Sequence, residues 1–319
     1  MRNKILVTGS AGFIGFHLCQ SLLNDDLEVL GIDNLNNYYD PNLKHARLNQ
    51  LKQHNNFTFE KIDIAERESL TKAFTDFKPQ KVINLAAQAG VRYSIENPYA
   101  YLDANLVGFL NIIELCRHND VEGLIYASSS SVYGGNIKVP FSVKDRVDNP
   151  ISLYAATKKA NELIANSYSH LYGLHTTGLR YFTVYGPWGR PDMAMHIFAK
   201  NISNHEPIQV FNNGKMKRDF TYIDDIVSGT KSAIDKNFLC EVFNLGNHKS
   251  EKLMDVIGMI ENKIGIDAQI EYLPMQLGDV KESFADITKS TQLLGYSPTT
   301  DVDIGIVKFI DWFKEYYEK

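Results

Sequence analysis

The stretch KILVTGSAGFIGFHLCQSLL, Lys4 to Leu23, decides the fold. Ile5 to Thr8 is an apolar, β-branched run fit for a buried strand. Gly9, Gly12 and Gly15 interrupt it, and Phe13, Ile14, Leu18, Leu22 and Leu23 then carry a helical pattern. A strand, a glycine turn and a helix in that order suit a bound pyrophosphate. The turn is tight, the backbone can come close, and the helix N-terminus offers free N–H groups. Taken alone, the G-x-x-G-x-x-G spacing is equally a turn that merely starts a helix.

The next strand settles that choice. LEVLGID ends at Asp33, eighteen residues beyond Gly15. A carboxylate there can accept from both adenosine ribose hydroxyls and would repel a 2′-phosphate. No Arg or Lys immediately follows Asp33, so NAD is preferred over NADP. The alternation continues with NFTFEKIDI, KVINLAA and GLIYASSSS as strands, and with helices over Glu66 to Phe77 and Tyr99 to Arg117. This predicts an α/β fold, a Rossmann-type doubly wound parallel sheet with ligands at the strands' carboxyl ends. Those ends carry Gly9, Asp33, Asp63, Ala86, Ala87 and the serines 128–131. Asp63 stands where an adenine amino group could be read, or is a solvated loop carboxylate.

A sixth strand follows in LHTTGLRYF, and the regular alternation then stops. PIQVF and RDFTYI read as short strands, and SEKLMDVIGMIENKIG and DIGIVKFIDWFKEYYEK as helices. We therefore expect a NAD-binding domain over residues 1–180, with 224–245 returning to it. Residues 181–319 would form mainly a smaller, mixed α/β substrate domain.

Bulk composition narrows the function. The 319 residues are 44% hydrophobic and 22% charged, with a formal net charge of −5. No concentrated Lys/Arg run invites nucleic acid, and no apolar run approaches the ~20 residues of a membrane span. Cys19, Cys116 and Cys240 are widely spaced with no CxxC, which disfavours a disulfide framework or a metal site. The expectation is a cytoplasmic protein without metal.

SLYAATKKANE, Ser152 to Glu162, places Tyr154 and Lys158 four apart, on one face of a helix. Such a pair is common by chance, but here it follows the fifth strand, whose carboxyl end carries Ser129. A Tyr is a poor base, with an ordinary pKa near 10. A neighbouring ammonium favours the phenolate, and Ser129 can share the proton with a substrate hydroxyl. Ser129, Tyr154 and Lys158 are the candidate catalytic set, suited to removing hydride from a secondary alcohol.

Several long segments carry a resemblance: NNYYDPNLKHARL (36–48), LAAQAGVRYSIENP (85–98), YASSSSVYG (126–134), SLYAATKK (152–159), GLRYFTVYGPWGRPDM (178–193) and RDFTYIDDIV (218–227). The chain resembles, end to end, the extended short-chain dehydrogenase/reductases that act on nucleotide sugars, and within them the 4-epimerases of UDP-hexuronic acids. The resemblance implies tightly held NAD on Gly9, Gly12, Phe13, Ile14 and Gly15. It adds Asp33, Asn34, Asn36, Asp63 and Ile64 toward adenosine, then Leu85, Ala86, Ala87 and Asn105, and finally Tyr154, Lys158 and Tyr181. It implies a UDP-sugar substrate near Val91, Arg92, Ser129, Ser130 and Thr183, with Arg190, Met193 and Ala194 beside them. The nucleotide would be gripped by Gln209, Phe211 and Arg218, under a closing MQLGDV segment that includes Asp279. Relatives usually show Pro where this chain has Leu277.

The implied reaction takes the O4 proton on Tyr154, turns a 4-keto sugar about its phosphate linkage, and reduces it on the other face. Related 4,6-dehydratases carry an Asp-Glu pair before VYG, and related decarboxylases a Glu. This chain has Ser130 and Ser131 there, which disfavours both. Many neutral-sugar 4-epimerases show Asn where Thr183 stands. Arg190 could meet a C6 carboxylate in a charge-assisted pair, or only brace its loop; Arg92 is a weaker candidate. The expectation is conversion of UDP-glucuronate to UDP-galacturonate, for polysaccharide biosynthesis. A UDP-glucose or N-acetylated UDP-sugar 4-epimerase is the alternative, and a decarboxylase, an NAD-sensing regulator or a redox enzyme releasing NADH stand further off. Apolar positions on Tyr99–Arg117 and Leu153–Tyr172 suggest a homodimer built through a four-helix contact.

Overall fold

A computed structural model describes residues 3–276 and 278–318. Its centre is β1 (Lys4–Thr8), whose last four residues are buried because parallel strands flank it on both sides. These neighbours are β2 (Glu28–Asp33) and β4 (Lys81–Asn84). Beyond β2 lies β3 (Phe57–Lys61), and beyond β4 lie β5 (Gly123–Ser129), β6 (Thr176–Tyr181) and finally the strand Cys240–Leu245. All neighbours in this seven-stranded sheet run parallel, and helices cover its faces. The chain thus has the doubly wound Rossmann-type fold expected. Strand order reverses between β1 and β4, which opens a crevice at their carboxyl ends.

The later chain supplies short pairs in place of long strands. Thr183–Tyr185 pairs with Phe220–Tyr222, and Ile208–Val210 with Ile270–Tyr272. The helix Ile223–Lys236 returns to pack on α1 (Phe13–Asn24), where Lys231 forms an ion pair with Asp25 at 2.5 Å. An aromatic cluster of Trp188, Phe309, Trp312, Phe313 and Tyr316 ties the loop after Tyr185 to the last helix, Val302–Tyr317.

One helix differs in detail from expectation. Tyr99 to Arg117 is not uniformly α-helical: Pro98–Tyr101 leads into a π-helical turn over Leu102–Gly108, then into Phe109–His118. The wider turn holds Asn105, whose amide accepts from Gln88 N and donates to Gln88 O and Thr157 Oγ1.

Two histidines are built in as neutral groups. His17 bonds the Pro187 carbonyl at 2.9 Å, and His196 is buried among Phe309, Trp312, Phe313 and Tyr317. Burial lowers each to about 4. The unfolded chain takes those protons near pH 6.5, so their contribution is intact above that pH and is lost as pH falls toward 4. Going from pH 7 to 5 should cost on the order of 2 kcal/mol per histidine. Thermal unfolding at the two pH values checks this, and His17→Gln should flatten the dependence.

Candidate active site

The glycine turn is shaped by two approaches that exclude side chains. Gly9 has φ +71°, and a Cβ on it would lie 2.8 Å from Ala86 N. A Cβ on Gly15 would lie 2.0 Å from the Gly9 carbonyl oxygen, so α1 starts almost against β1. Gly12 caps α1 without any side-chain bond, which leaves the first amides of the helix free for an anion. This cradle opens into a cavity of about 390 Å³ at the sheet's switch point. Its size and its side-chain-free turn fit a dinucleotide.

Along the cavity the expected coenzyme residues fall in order. Gly9, Gly12, Phe13, Ile14 and Gly15 form one end, and Asp33, Asn34, Asn36, Asp63 and Ile64 line the next stretch. Asp33 Oδ2 accepts from Ala11 N at 3.2 Å and Oδ1 from Leu35 N at 2.8 Å. Burial pushes its carboxyl up, against the opposing pull of Lys44 and those two amides. Asp63 accepts from Asn34 Nδ2 at 2.8 Å, so it is tied into the cavity wall. Leu85, Ala86, Ala87 and Tyr181 line the cavity too. Asn105 does not: it is 1% exposed and braces Gln88 from behind, because the π turn directs its amide to that backbone.

Ser129, Tyr154 and Lys158 meet on one stretch of the wall. Ser152 caps the helix Leu153–Tyr172 by accepting from Ala155 N, which aims Tyr154 and Lys158 at the end of β5. Burial pushes the Tyr154 phenol up, while the Ser129 hydroxyl and the Arg190 charge pull it down. Arg190 is a cation acting on Tyr154 that the helix spacing does not reveal. Lys158 donates to the Ala127 carbonyl at 2.8 Å, and burial lowers its ammonium to about 8. Beneath them Glu162 accepts from Ser128 at 2.6 Å and from Arg180 in a two-pronged pair, which stiffens the serine strand.

Of the expected substrate residues, Val91, Ser129, Ser130, Thr183, Arg190 and Met193 line the cavity, and Ala194 lines a side pocket next to it. Arg190 is not a free guanidinium. Asp192 Oδ1 accepts from its Nε at 3.0 Å and Oδ2 from its Nη2 at 2.5 Å. Arg92, Gln209, Phe211, Arg218 and Asp279 lie off the cavity wall and form a separate set. Arg92 stacks over Phe211, Gln209 turns outward to Glu271, and Arg218 pairs with Asp279. Gly278 faces Val91, which brings this set to the cavity's lining. Leu277 lies outside the described residues.

Sequence reasoning missed Tyr38 and Lys44, which also line the cavity, and Arg47 behind it. Lys44 Nζ donates to Asn36 O and Oδ1 at 2.9 and 2.8 Å, so a cation does stand near Asp33 although none follows it in sequence. The segment 36–48 was the available signal, as it carries all three residues.

Residues 5–246 match the NAD dependent epimerase/dehydratase family. An uncharacterized protein of Methanocaldococcus jannaschii is 54% identical over 98% of this chain and 96% of its own length. UDP-glucuronate 4-epimerase 4 of Arabidopsis thaliana is 46% identical over 98% of this chain and 76% of its own. The crystal structure of UDP-glucuronic acid 4-epimerase from Bacillus cereus, in complex with UDP-glucuronic acid and NAD, superposes with a TM-score of 0.93. It is 37% identical, covering 98% of this chain and 100% of that one.

The glycine geometry generates a test that needs no substrate. Gly15→Ala should displace α1 from β1, and the purified variant should carry at least about tenfold less coenzyme than the parent, by absorbance after denaturation.

Proposed function

We infer that this chain, which belongs to the NAD dependent epimerase/dehydratase family, is an NAD-dependent 4-epimerase that converts UDP-glucuronate to UDP-galacturonate. The observation that carries this reading is one cavity holding Ser129, Tyr154 and Lys158 together with Arg190 and Thr183. Bound NAD supplies a hydride acceptor that returns the hydride later, so no external oxidant is consumed. Tyr154, as phenolate, takes the O4 proton, and Ser129 shares it through its hydroxyl. The Arg190 charge and the Ser129 hydroxyl favour that phenolate against the burial that opposes it. The 4-keto sugar turns about its phosphate linkage, and Tyr154 gives the proton back on the other face. Ser130 and Ser131 offer no carboxylate acid/base, so elimination of water has no proton shuttle.

In this reading residues 1–180 with 224–245 hold the coenzyme, and the rest of 181–319 holds UDP. Arg218 meets phosphate, the Gln209–Phe211 backbone meets uracil, and the segment with Asp279 covers them. Arg190 and Thr183 receive the C6 carboxylate. A 4-epimerase of UDP-glucose or an N-acetylated UDP-sugar is the second reading. Its support is the Arg190–Asp192 pair, which would make Arg190 a brace of its own loop.

Partners and place follow as proposals. The segments 93–118 and 153–172 expose Tyr99, Val107, Leu110, Leu163 and Leu171, which favours a homodimer through these helices. Sedimentation should give a dimer mass that Leu163→Lys with Leu171→Lys halves. Among the described residues no helix is long and apolar enough to cross a membrane. The three cysteines are free, in keeping with a reducing cytoplasm, and the product would serve as an activated uronate for polysaccharide synthesis.

Incubating the protein with UDP-glucuronate, UDP-glucose and their N-acetyl forms, with products resolved by NMR, tests the substrate. Tyr154→Phe should keep NAD and lose about 10²–10⁴-fold in turnover. Arg190→Ala should lower kcat/KM for UDP-glucuronate about 10- to 150-fold more than for UDP-glucose, because both sugars lose the Arg190 charge acting on Tyr154 and only the uronate loses a charge-assisted hydrogen bond. Equal damage toward both would support the loop brace and the neutral-sugar reading.

A further inference from the structure

Packing alone does not hold the Arg190 guanidinium. It lines the main cavity of about 390 Å³ on one side and a small pocket of about 30 Å³, with Thr183, Met193 and His196, on the other, so protein atoms do not enclose it. Asp192 takes Nε and Nη2, one on each carboxylate oxygen, and a two-pronged grip sets a plane as well as a position. Nη1 takes no part in that grip. Asp192 Oδ2 accepts a third bond, from the Tyr38 hydroxyl at 3.1 Å, which reaches over from the coenzyme half. Tyr38 is itself steadied by Tyr93, with ring centroids 4.9 Å apart.

The backbone of the loop is pinned by other means. His17 bonds the Pro187 carbonyl, and Arg47 Nη2 donates to the Trp188 carbonyl at 2.6 Å while Nη1 donates to Ala11 O at 2.8 Å. Trp188 sits at φ +61°, a left-handed conformation that these bonds and its aromatic neighbours hold. Loss of Asp192 would therefore free the Arg190 side chain without releasing the loop.

We propose that Asp192 is a positioning residue that, steadied by Tyr38, holds the Arg190 guanidinium so that the substrate carboxylate stays out of line with the C4 ketone. This rests on the reading of the chain as a UDP-glucuronate 4-epimerase. The 4-keto uronate is a β-keto acid with two fates. If its C5–C6 bond lies parallel to the ketone π system, that bond breaks and CO₂ leaves. The electron pair becomes the C4–C5 enolate, C5 takes a proton, and return of the hydride to C4 gives a UDP-pentose. If the carboxylate is held away from that alignment, the hydride returns first and the product is UDP-galacturonate. Asp192 touches neither substrate nor coenzyme in this role; it sets the ratio of the two products through Arg190.

The test is the ratio of UDP-pentose to UDP-galacturonate formed from UDP-glucuronate, read by NMR in the parent, Asp192→Asn, Asp192→Glu and Tyr38→Phe. A product ratio belongs to each turnover, so a reduced folded fraction does not move it. Asp192→Asn should raise the ratio about 10- to 100-fold and lower kcat for epimerisation more than it raises KM. Asp192→Glu should recover part of the parent's ratio, and Tyr38→Phe should shift it the same way by less. An unchanged ratio in Asp192→Asn that keeps NAD and the parent's Tm overturns the proposal. Should that variant lose its coenzyme, Tyr38→Phe decides by the same ratio, and no shift there overturns it equally. A parent inactive on UDP-glucuronate sinks the substrate reading, whereas an active parent with unmoved variants sinks the role of Asp192 alone.

Discussion

The whole pocket hangs on one close approach, that of the α1 start to the end of β1. With no Cβ at Gly9 or Gly15, the Gly9 carbonyl occupies space that a side chain would need. The loop after β4 comes equally near, within 2.8 Å of a hypothetical Gly9 Cβ. That loop is then fixed from outside. Tyr101 donates to the Ala89 and Gly90 carbonyls, and Asn105 bonds both backbone groups of Gln88. The π-helical turn carrying Asn105 also reaches Thr157 on the catalytic helix. One steric allowance in the sequence thereby sets the coenzyme turn, the cavity's middle wall and the placement of Tyr154.

Cations are gathered at the cavity although the chain as a whole is acidic. The chain carries a formal net charge of −5, yet Lys44, Lys158 and Arg190 all line one cavity. Burying cations is costly unless each finds an acceptor. Here the acceptors are the Asn36 and Ala127 carbonyls and the Asp192 carboxylate. These bonds satisfy the cations, and Asp33 and Asp63 line the same cavity, so charges of both signs face a ligand there. Among these charges, that of Arg190 acts on Tyr154 against the burial that raises its phenol.

The fold was readable because its signals are local: apolar runs, glycine punctuation and helical periodicity within some thirty residues. The glycines, Asp33, Tyr154 and Lys158 were readable for the same reason. What escaped was set by folding over long distances. Arg47 looks like a solvated helix charge in sequence, yet it is 0% exposed and bonds a carbonyl 141 residues away. Lys44 reaches the coenzyme wall only because the chain from Asn36 wraps back over it. Asp192 stands two residues from Arg190, but nothing in their spacing says that the two pair instead of facing different partners. The Tyr154–Lys158 spacing puts both on one helix face, but it could not show that the lysine tip reaches the Ala127 carbonyl or that Arg190 also acts on Tyr154.

The strand Cys240–Leu245 lies at one edge of the sheet and covers β6 along all six of its residues, Thr176 to Tyr181. Roughly sixty residues of the less regular part separate the two in the chain. During synthesis the first six strands therefore emerge with β6 as an open edge, its unpaired backbone groups and buried-type side chains presented to solvent. Neither that edge nor the α1 face under Ile223–Lys236 closes until the intervening loops have already been made. A fragment ending near residue 180 would keep its β3 edge but leave β6 open and the α1 face uncovered.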